Sequence, residues 1–231
     1  MKPYYQDSYC TIYNADCLDV WGLDVVPDLV ITSPPYNLGK NHHTASKKTG
    51  CYDDNMPESE YQEWQQDVLE ACFRNTTGDM FYNHQHRIRG GVLIRPDDWI
   101  TDTEWSERQE IVWNRGSPNM DKCRFFPFTE RIYWLTRDVT STSFKNILNL
   151  TDDWHISPVG SQGKHTRQFP LAIPKNIIAC CSPSIVLDPF VGGGTTLRAC
   201  KDAGCKGIGF EKQEWACEIA ANRLAQEVLA L

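Results

Sequence analysis

Ile185-Val186-Leu187-Asp188-Pro189-Phe190-Val191-Gly192-Gly193-Gly194-Thr195-Thr196 runs from an apolar stretch through an acid and a turn into three glycines and the start of a helical pattern. Glycine is needed where the backbone passes a ligand with no room for a Cβ, and the helix N-terminus beyond it offers amide groups to an anion. A plain strand-to-helix turn would use the same glycines. A P-loop would need Gly-Lys-Ser/Thr after four spacer residues, and no lysine stands there. The dinucleotide fingerprint Gly-x-Gly-x-x-Gly is only half met, because position 197 is Leu. The partner of this stretch is Lys206-Gly207-Ile208-Gly209-Phe210-Glu211, which reads as the neighbouring strand and ends in an acid 23 residues after Asp188. From there a carboxylate can accept both ribose hydroxyls of an adenosine-containing cofactor.

Working outward, short apolar runs at 11–13, 28–32, 80–83, 110–113, 131–135, 185–187 and 207–210 predict buried strands of a parallel sheet. Tyr61, Trp64, Val68 and Cys72 recur at three to four residues and predict a helix over 58–73. Ala216, Ile219, Ala220, Leu224, Val228 and Leu231 predict another over 214–231. The alternation gives an α/β fold, a doubly wound Rossmann-like sheet, and 231 residues suit one domain spanning 1–231. Two polar, irregular stretches follow strand ends, 37–55 with Lys40, His42, His43, Lys47 and Lys48, and 114–128 with Arg115, Lys122 and Arg124. Ligands bind such sheets where these loops emerge.

Composition narrows the function classes. The formal charge is −7 and the pI about 5.4, which excludes a histone-like basic protein and opposes a nucleic-acid partner held mainly by Lys and Arg. A mean hydropathy of −0.48 with no long apolar run excludes a membrane span. The N-terminal Met1-Lys2-Pro3-Tyr4-Tyr5-Gln6-Asp7 lacks the pattern of a signal peptide, so a cytoplasmic location is expected. The ten cysteines include no Cys-x-x-Cys pair; Cys180 and Cys181 are adjacent, and Cys200 and Cys205 five apart. They read as reduced, buried small hydrophobes with no metal to bind.

Asp28-Leu29-Val30-Ile31-Thr32-Ser33-Pro34-Pro35-Tyr36 is a strand that runs into two prolines and an aromatic. The prolines fix the backbone, so the Pro34 carbonyl and the Ser33 side chain are held as acceptors aimed at one point, and Tyr36 can lie against a planar group. Acceptors beside an aromatic platform suit an amino group on a heterocycle. A plain strand-ending turn would look the same in isolation.

Together, Ser33-Pro34-Pro35-Tyr36 and Asp188-Pro189-Phe190-x-Gly-x-Gly-Thr-Thr resemble the DNA amino-methyltransferases, which use S-adenosylmethionine to methylate the exocyclic amine of cytosine or adenine. The order, catalytic motif before cofactor loop, is similar to the circularly permuted β-class. The resemblance implies double-stranded DNA as partner and Ser33, Pro34, Pro35 and Tyr36 as catalytic residues. It assigns Asp16, in Asn14-Ala15-Asp16-Cys17-Leu18, to the cofactor adenine, with Cys17 beside it. His165 and Phe169-Pro170 are assigned to the methionine end. Asp188, Pro189, Phe190, Gly192, Gly194, Thr195, Thr196, Glu211 and Lys212 complete the cofactor site. Lys40, Lys47, Lys48, Arg115, Lys122 and Arg124 are the expected DNA contacts. No large target-recognition domain is present, so residues 114–165 and the loop 37–55 are expected to serve, with room for a homodimer and a restriction endonuclease partner.

The mechanism implied is direct transfer to a base that has left the duplex and stacks on Tyr36. Methylation at cytosine carbon 5 would need a cysteine where Tyr36 stands. In the family, Ser at the first catalytic position favours cytosine N4, whereas an Asn following the aromatic, here Asn37, is common in adenine N6 members. The rivals are a methyltransferase-like subunit that binds without catalysing, an RNA or protein methyltransferase, and a nicotinamide oxidoreductase. The acids are unevenly placed along the chain. Asp53, Asp54, Glu58, Glu60, Glu63, Asp67 and Glu70 are seven acids without a base between them and equal the whole net charge. The expectation is therefore an acidic helix facing away from DNA, with basic loops, including Arg87, Arg89 and Arg95 after a central strand, on the side that meets it.

Overall fold

The computed structural model describes residues 1–19, 22–39, 54–116, 124–140, 143–158 and 169–226. Its centre is a nine-stranded sheet. In chain order the strands are β1 (Tyr5–Gln6), β2 (Cys10–Asn14), β3 (Leu29–Thr32), β4 (Asp79–His84), β7 (Ser106–Asn114), β8 (Thr129–Thr136), β9 (Asp153–His155), β10 (Ile185–Asp188) and β11 (Lys206–Glu211), while β5 (Arg87–Arg89) and β6 (Val92–Ile94) form a separate hairpin. Across the sheet the order is β1-β2-β11-β10-β3-β4-β8-β7-β9. All seven expected strands are present, but the sheet is mixed. β2, β11, β10, β3 and β4 pair in parallel, whereas β8 runs antiparallel to both β4 and β7.

The alternation along β3 and β10 sorts the core into layers. Val30 and Leu187 enter one cluster, beneath α1 (Glu58–Asn75) and α2 (Asp97–Ile100). Leu29, Ile31 and Val186 enter the other, beneath α3 (Ala172–Cys181) and Ala199 and Cys200 of α4 (Thr195–Ala203). Every residue of β3 is buried, and each large side chain so removed from water contributes about 1.5–3 kcal/mol. The last helix, α5 (Glu214–Leu224), packs Cys217, Ala220 and Leu224 against Cys10 and Ile12 of β2.

Helix α3 was not among the helices expected from the sequence; its Pro174 lies in the first turn, where the missing N–H has no helical partner to lose. Sequence reasoning also treated 114–165 as one recognition segment. Thr129–Thr136 of that span is a strand inside the sheet, so among the described residues only 115–116, 124–128 and the stretches around β9 lie outside the core sheet there.

Candidate active site

Two crossovers leave neighbouring strands in opposite directions, β10 through α4 to β11 on one side and β3 through α1 to β4 on the other. Strands β10 and β3 are therefore the topological switch point, the place where open α/β sheets bind ligands beyond their carboxyl ends. There Thr32 Oγ1 donates to Asp188 Oδ1 at 2.9 Å, which ties the strand leading into Ser33-Pro34-Pro35-Tyr36 to the one leading into the glycine loop. The Phe190 amide donates to the same oxygen at 3.0 Å. Burial pushes the Asp188 carboxyl up to about 6, against hydrogen bonds from Thr196, the Phe190 amide and Thr32.

On the glycine side, the Gly192 amide donates to Glu211 Oε2 at 2.9 Å and the Gln213 amide to Glu211 Oε1 at 2.7 Å. Burial raises the Glu211 carboxyl above its ordinary value despite these bonds. Gly192 has φ of 50°, and a Cβ there would stand 3.9 Å from the Phe190 carbonyl oxygen, an ordinary contact. Gly194 differs: φ is 78°, and a Cβ would meet the Ala220 Cβ of α5 at 2.9 Å. Its missing side chain answers helix packing, not ligand access. Gly194 is the N-cap of α4 with no side-chain cap. Pro189, Thr195 and Thr196 are buried, and the Thr195 hydroxyl accepts from Arg223. Phe190 stands edge-on to Trp64 of α1 with ring centroids 5.5 Å apart.

Next along the same edge, Lys212 Nζ lies 3.0 Å from Asp16 Oδ2. Burial works against the Asp16 charge, but the Leu18 amide and Lys212 prevail and hold its carboxyl below the ordinary range. Cys17 is buried in the core cluster, and its thiol hydrogen-bonds the Asp16 side chain. Phe169 packs edge-on to Trp113 at 6.3 Å, on the α3 side of the sheet, and Pro170 is buried beside it. His165 lies outside the described residues.

The Ser33-Pro34-Pro35-Tyr36 motif is anchored at several points. Tyr61 Oη of α1 donates to the Pro35 carbonyl at 2.7 Å, while among the described residues no donor reaches the Pro34 carbonyl. Behind Tyr36 stands the buried imidazole of His84, with ring centroids 4.6 Å apart. Burial, and after it the Arg87 charge, hold His84 well below its usual pKa, so it is neutral. The Tyr36 hydroxyl is 2.6 Å from Asn83 Oδ1, 2.9 Å from Glu130 Oε2 and 2.9 Å from Ser33 Oγ. Burial and then the Glu130 charge keep this phenol protonated. Asn83 and Glu130 escaped sequence reasoning. Their signal is polar residues at the sheet-edge ends of otherwise apolar strands, at Tyr82-Asn83-His84 and Thr129-Glu130-Arg131.

Several charged residues expected to meet DNA are committed inside the protein. Arg115 is 12% exposed and pairs with Glu130 at 3.1 Å. Arg87 is buried against Glu58 at 2.8 Å, and Arg89 reaches the same carboxylate at 3.4 Å. Correspondingly, the acidic segment does not simply face away. Asp54 accepts the Asn37 and Leu38 amides at 2.6 and 3.0 Å, and Glu58 holds the hairpin arginines, so its first part braces the loop that follows Tyr36. Glu60, Glu63 and Asp67 are the exposed acids. Arg124 is exposed in the stretch between β7 and β8, and Lys40, Lys47, Lys48 and Lys122 lie outside the described residues. No group of ligands that could hold a metal ion occurs among the described residues, and no helix there is long and apolar enough to cross a membrane.

Known proteins share the sequence pattern and the fold of this chain. The type II methyltransferase M.ScaI of Streptomyces caespitosus is 29% identical, covering 100% of this chain and 86% of the relative. Among solved structures, the PvuII DNA methyltransferase (cytosine-N4-specific) superposes with a TM-score of 0.79 at 19% identity, covering 99% of this chain and 91% of that one. A complex of M1.HpyAVI with SAM superposes with a TM-score of 0.62 at 23% identity, covering 93% and 99%. The DNA methylase family matches residues 27–222. The chain carries that family's sequence pattern over most of its length on a sheet of the same fold, and it belongs to the DNA methylase family.

Proposed function

We propose that this protein transfers a methyl group from S-adenosylmethionine to the exocyclic amine of a base flipped out of double-stranded DNA, with cytosine N4 as the target. The observation that carries the reading is the Thr32–Asp188 hydrogen bond at the switch point, because it brings a rigid acceptor-and-aromatic motif beside a nucleotide-type loop. The donor set suits the cofactor. Glu211 and Asp188 present carboxylates with lone pairs to spare for hydroxyl or amine donors, Gly192 leaves an open cradle, and Phe190 and Asp16 flank it. Bound there, S-adenosylmethionine supplies a methyl group on a positively charged sulfur.

The chain's own part is positioning and electrostatics. Tyr36, backed by His84, carries the base on its ring, and the duplex gives up a few kcal/mol in unstacking. The Pro34 carbonyl and Ser33 Oγ accept the amine hydrogens, which draws the nitrogen lone pair out of conjugation and toward the methyl group. With no cysteine in the motif, no covalent intermediate with the base is needed. Ser33 at the first motif position supports cytosine. Asn37, the residue that speaks for adenine, has a local reason to be there: it is buried at φ 55° and bonds the Met56 amide and carbonyl, a left-handed turn position that asparagine tolerates.

Incubation with tritiated S-adenosylmethionine and unmethylated genomic DNA, followed by digestion to nucleosides, is expected to place label in N4-methylcytosine. Label in N6-methyladenosine overturns the choice of base, and label in RNA alone overturns the substrate class. Pro35→Ala and Tyr36→Ala are expected to abolish transfer and leave cofactor binding intact; loss of cofactor binding would mean that the two motifs are wrongly assigned.

A further inference from the structure

The hydrogen bonds behind Ser33 and Tyr36 form a chain whose direction matters. Ser33 Oγ is 3.1 Å from Asn83 Oδ1 and 2.9 Å from the Tyr36 hydroxyl, which is itself 2.6 Å from Asn83 Oδ1 and 2.9 Å from Glu130 Oε2. Two hydroxyls bring two protons to this cluster. Both of its outer ends only accept. Asn83 Nδ2 is spent on the Arg131 carbonyl at 2.9 Å, which fixes the amide with its oxygen inward. Glu130 is 7% exposed, its other oxygen is paired to Arg115 at 3.1 Å, and an ionised carboxylate has no proton to give. With acceptors at both ends, the protons of Tyr36 and Ser33 point away from the motif's open side, and the Ser33 lone pairs face it.

We infer that Glu130, anchored by Arg115, is a positioning residue for methyl transfer: it sets the polarity of the Glu130–Tyr36–Ser33 chain so that Ser33 meets the amine as an acceptor. The inference rests on the proposed function, in which Ser33 must take a hydrogen from the target amine. An amide in place of Glu130 has hydrogens to donate. The Asn83 oxygen is then the one accept-only end left to two hydroxyl protons, and when Tyr36 takes it, at 2.6 Å against 3.1 Å for Ser33, Ser33 is free to turn its proton to the amine it has to receive.

The test measures single-turnover transfer and cofactor affinity in four proteins: wild type, Glu130→Gln, Tyr36→Phe and the double variant. Glu130→Gln is expected to slow transfer by about tenfold or more with cofactor affinity within about twofold. In the Tyr36→Phe background the same substitution is expected to have almost no further effect, because the link it acts through is gone. Glu130→Asp, which retains an accept-only group, is expected to recover most of the rate. Wild-type speed in Glu130→Gln overturns the inference, as does an equal loss in both backgrounds, which marks a role in folding alone. If Glu130→Gln does not fold, Tyr36→Phe by itself decides: slower transfer with unchanged cofactor affinity supports the chain, and wild-type transfer overturns it. A wild-type protein that methylates no DNA at all refutes the proposed function first, and is distinguishable from all of these.

Discussion

Asp188 joins the two motifs, and its carboxyl carries the cost of that position. It stands at about 6 in the folded protein against an ordinary 3.8, because burial disfavours its charge. A raised acid binds its proton more tightly in the folded state than in the unfolded one. Its contribution to stability is therefore whole below 3.8 and is lost as pH rises through about 6. Two units correspond to about 3 kcal/mol. Urea unfolding across that window is expected to show wild type losing stability on this scale relative to Asp188→Asn, and cofactor titration is expected to show the variant failing to bind. Gly194→Ala is expected to cost about 2 kcal/mol or more, from the left-handed backbone and the 2.9 Å approach to Ala220, read as a lower urea midpoint. Such residues show how far the sequence can be read. The Asp188 and Ser33 motifs are legible because a strand that ends in an acid or in two prolines is a local pattern. Glu130 and Asn83 stand 94 and 47 positions from the Tyr36 hydroxyl that they bond, and no local window holds either pair.

The hairpin of β5 and β6 works at the next scale up. It carries Arg87 and Arg89 to Glu58, and Arg89 on to the Asn37 carbonyl, so it straps the first turn of α1 to the loop that follows Tyr36. Arg87 also lies over the Tyr61 ring at 4.6 Å, the same tyrosine that holds the Pro35 carbonyl. Removing Glu58 leaves a buried guanidinium with its best partner gone. Glu58→Ala is expected to destabilise the protein by about 3 kcal/mol, discounted for the partial exposure of the carboxylate, and to slow transfer more than it weakens cofactor binding. Denaturation curves paired with single-turnover rates check both. The helix α1 was readable from its stripe of Tyr61, Trp64, Val68 and Cys72. The hairpin had a signal as well, Gly90-Gly91 between short apolar runs, and both glycines take the positive φ of a tight hairpin turn, 57° and 81°. What no pattern could show is that its arginines point inward. A basic residue reads as surface until its acid is found, and Glu58 stands 29 positions from Arg87.

For the whole molecule, the inward arginines change how an acidic protein meets DNA. With Arg87, Arg89 and Arg115 engaged internally, the prediction is that the loop lysines supply phosphate contacts. Each contact adds about −0.9 to the slope of log affinity against log salt, so replacing Lys40, Lys47 and Lys48 together with Gln is expected to flatten that slope by about 2.7 units. Fluorescence titration of a labelled duplex at several salt concentrations measures it, and an unchanged slope would remove that loop from the interface. The mixed sheet was legible only in part. Strand positions follow from apolar runs, but the reversal at β8 depends on which neighbours it finds. The order of those neighbours also governs the birth of the enzyme. Strands β10 and β11 fill the gap between β2 and β3, although residues 185–211 are synthesised long after either. Until they leave the ribosome, β2 and β3 lack their central partners, and the nascent chain shows unpaired backbone to chaperones and to its neighbours on the polysome. Thr32 meets Asp188 across 156 positions. No incomplete product of translation can therefore assemble the switch point, and methylation starts only with chains that have been read past both motifs.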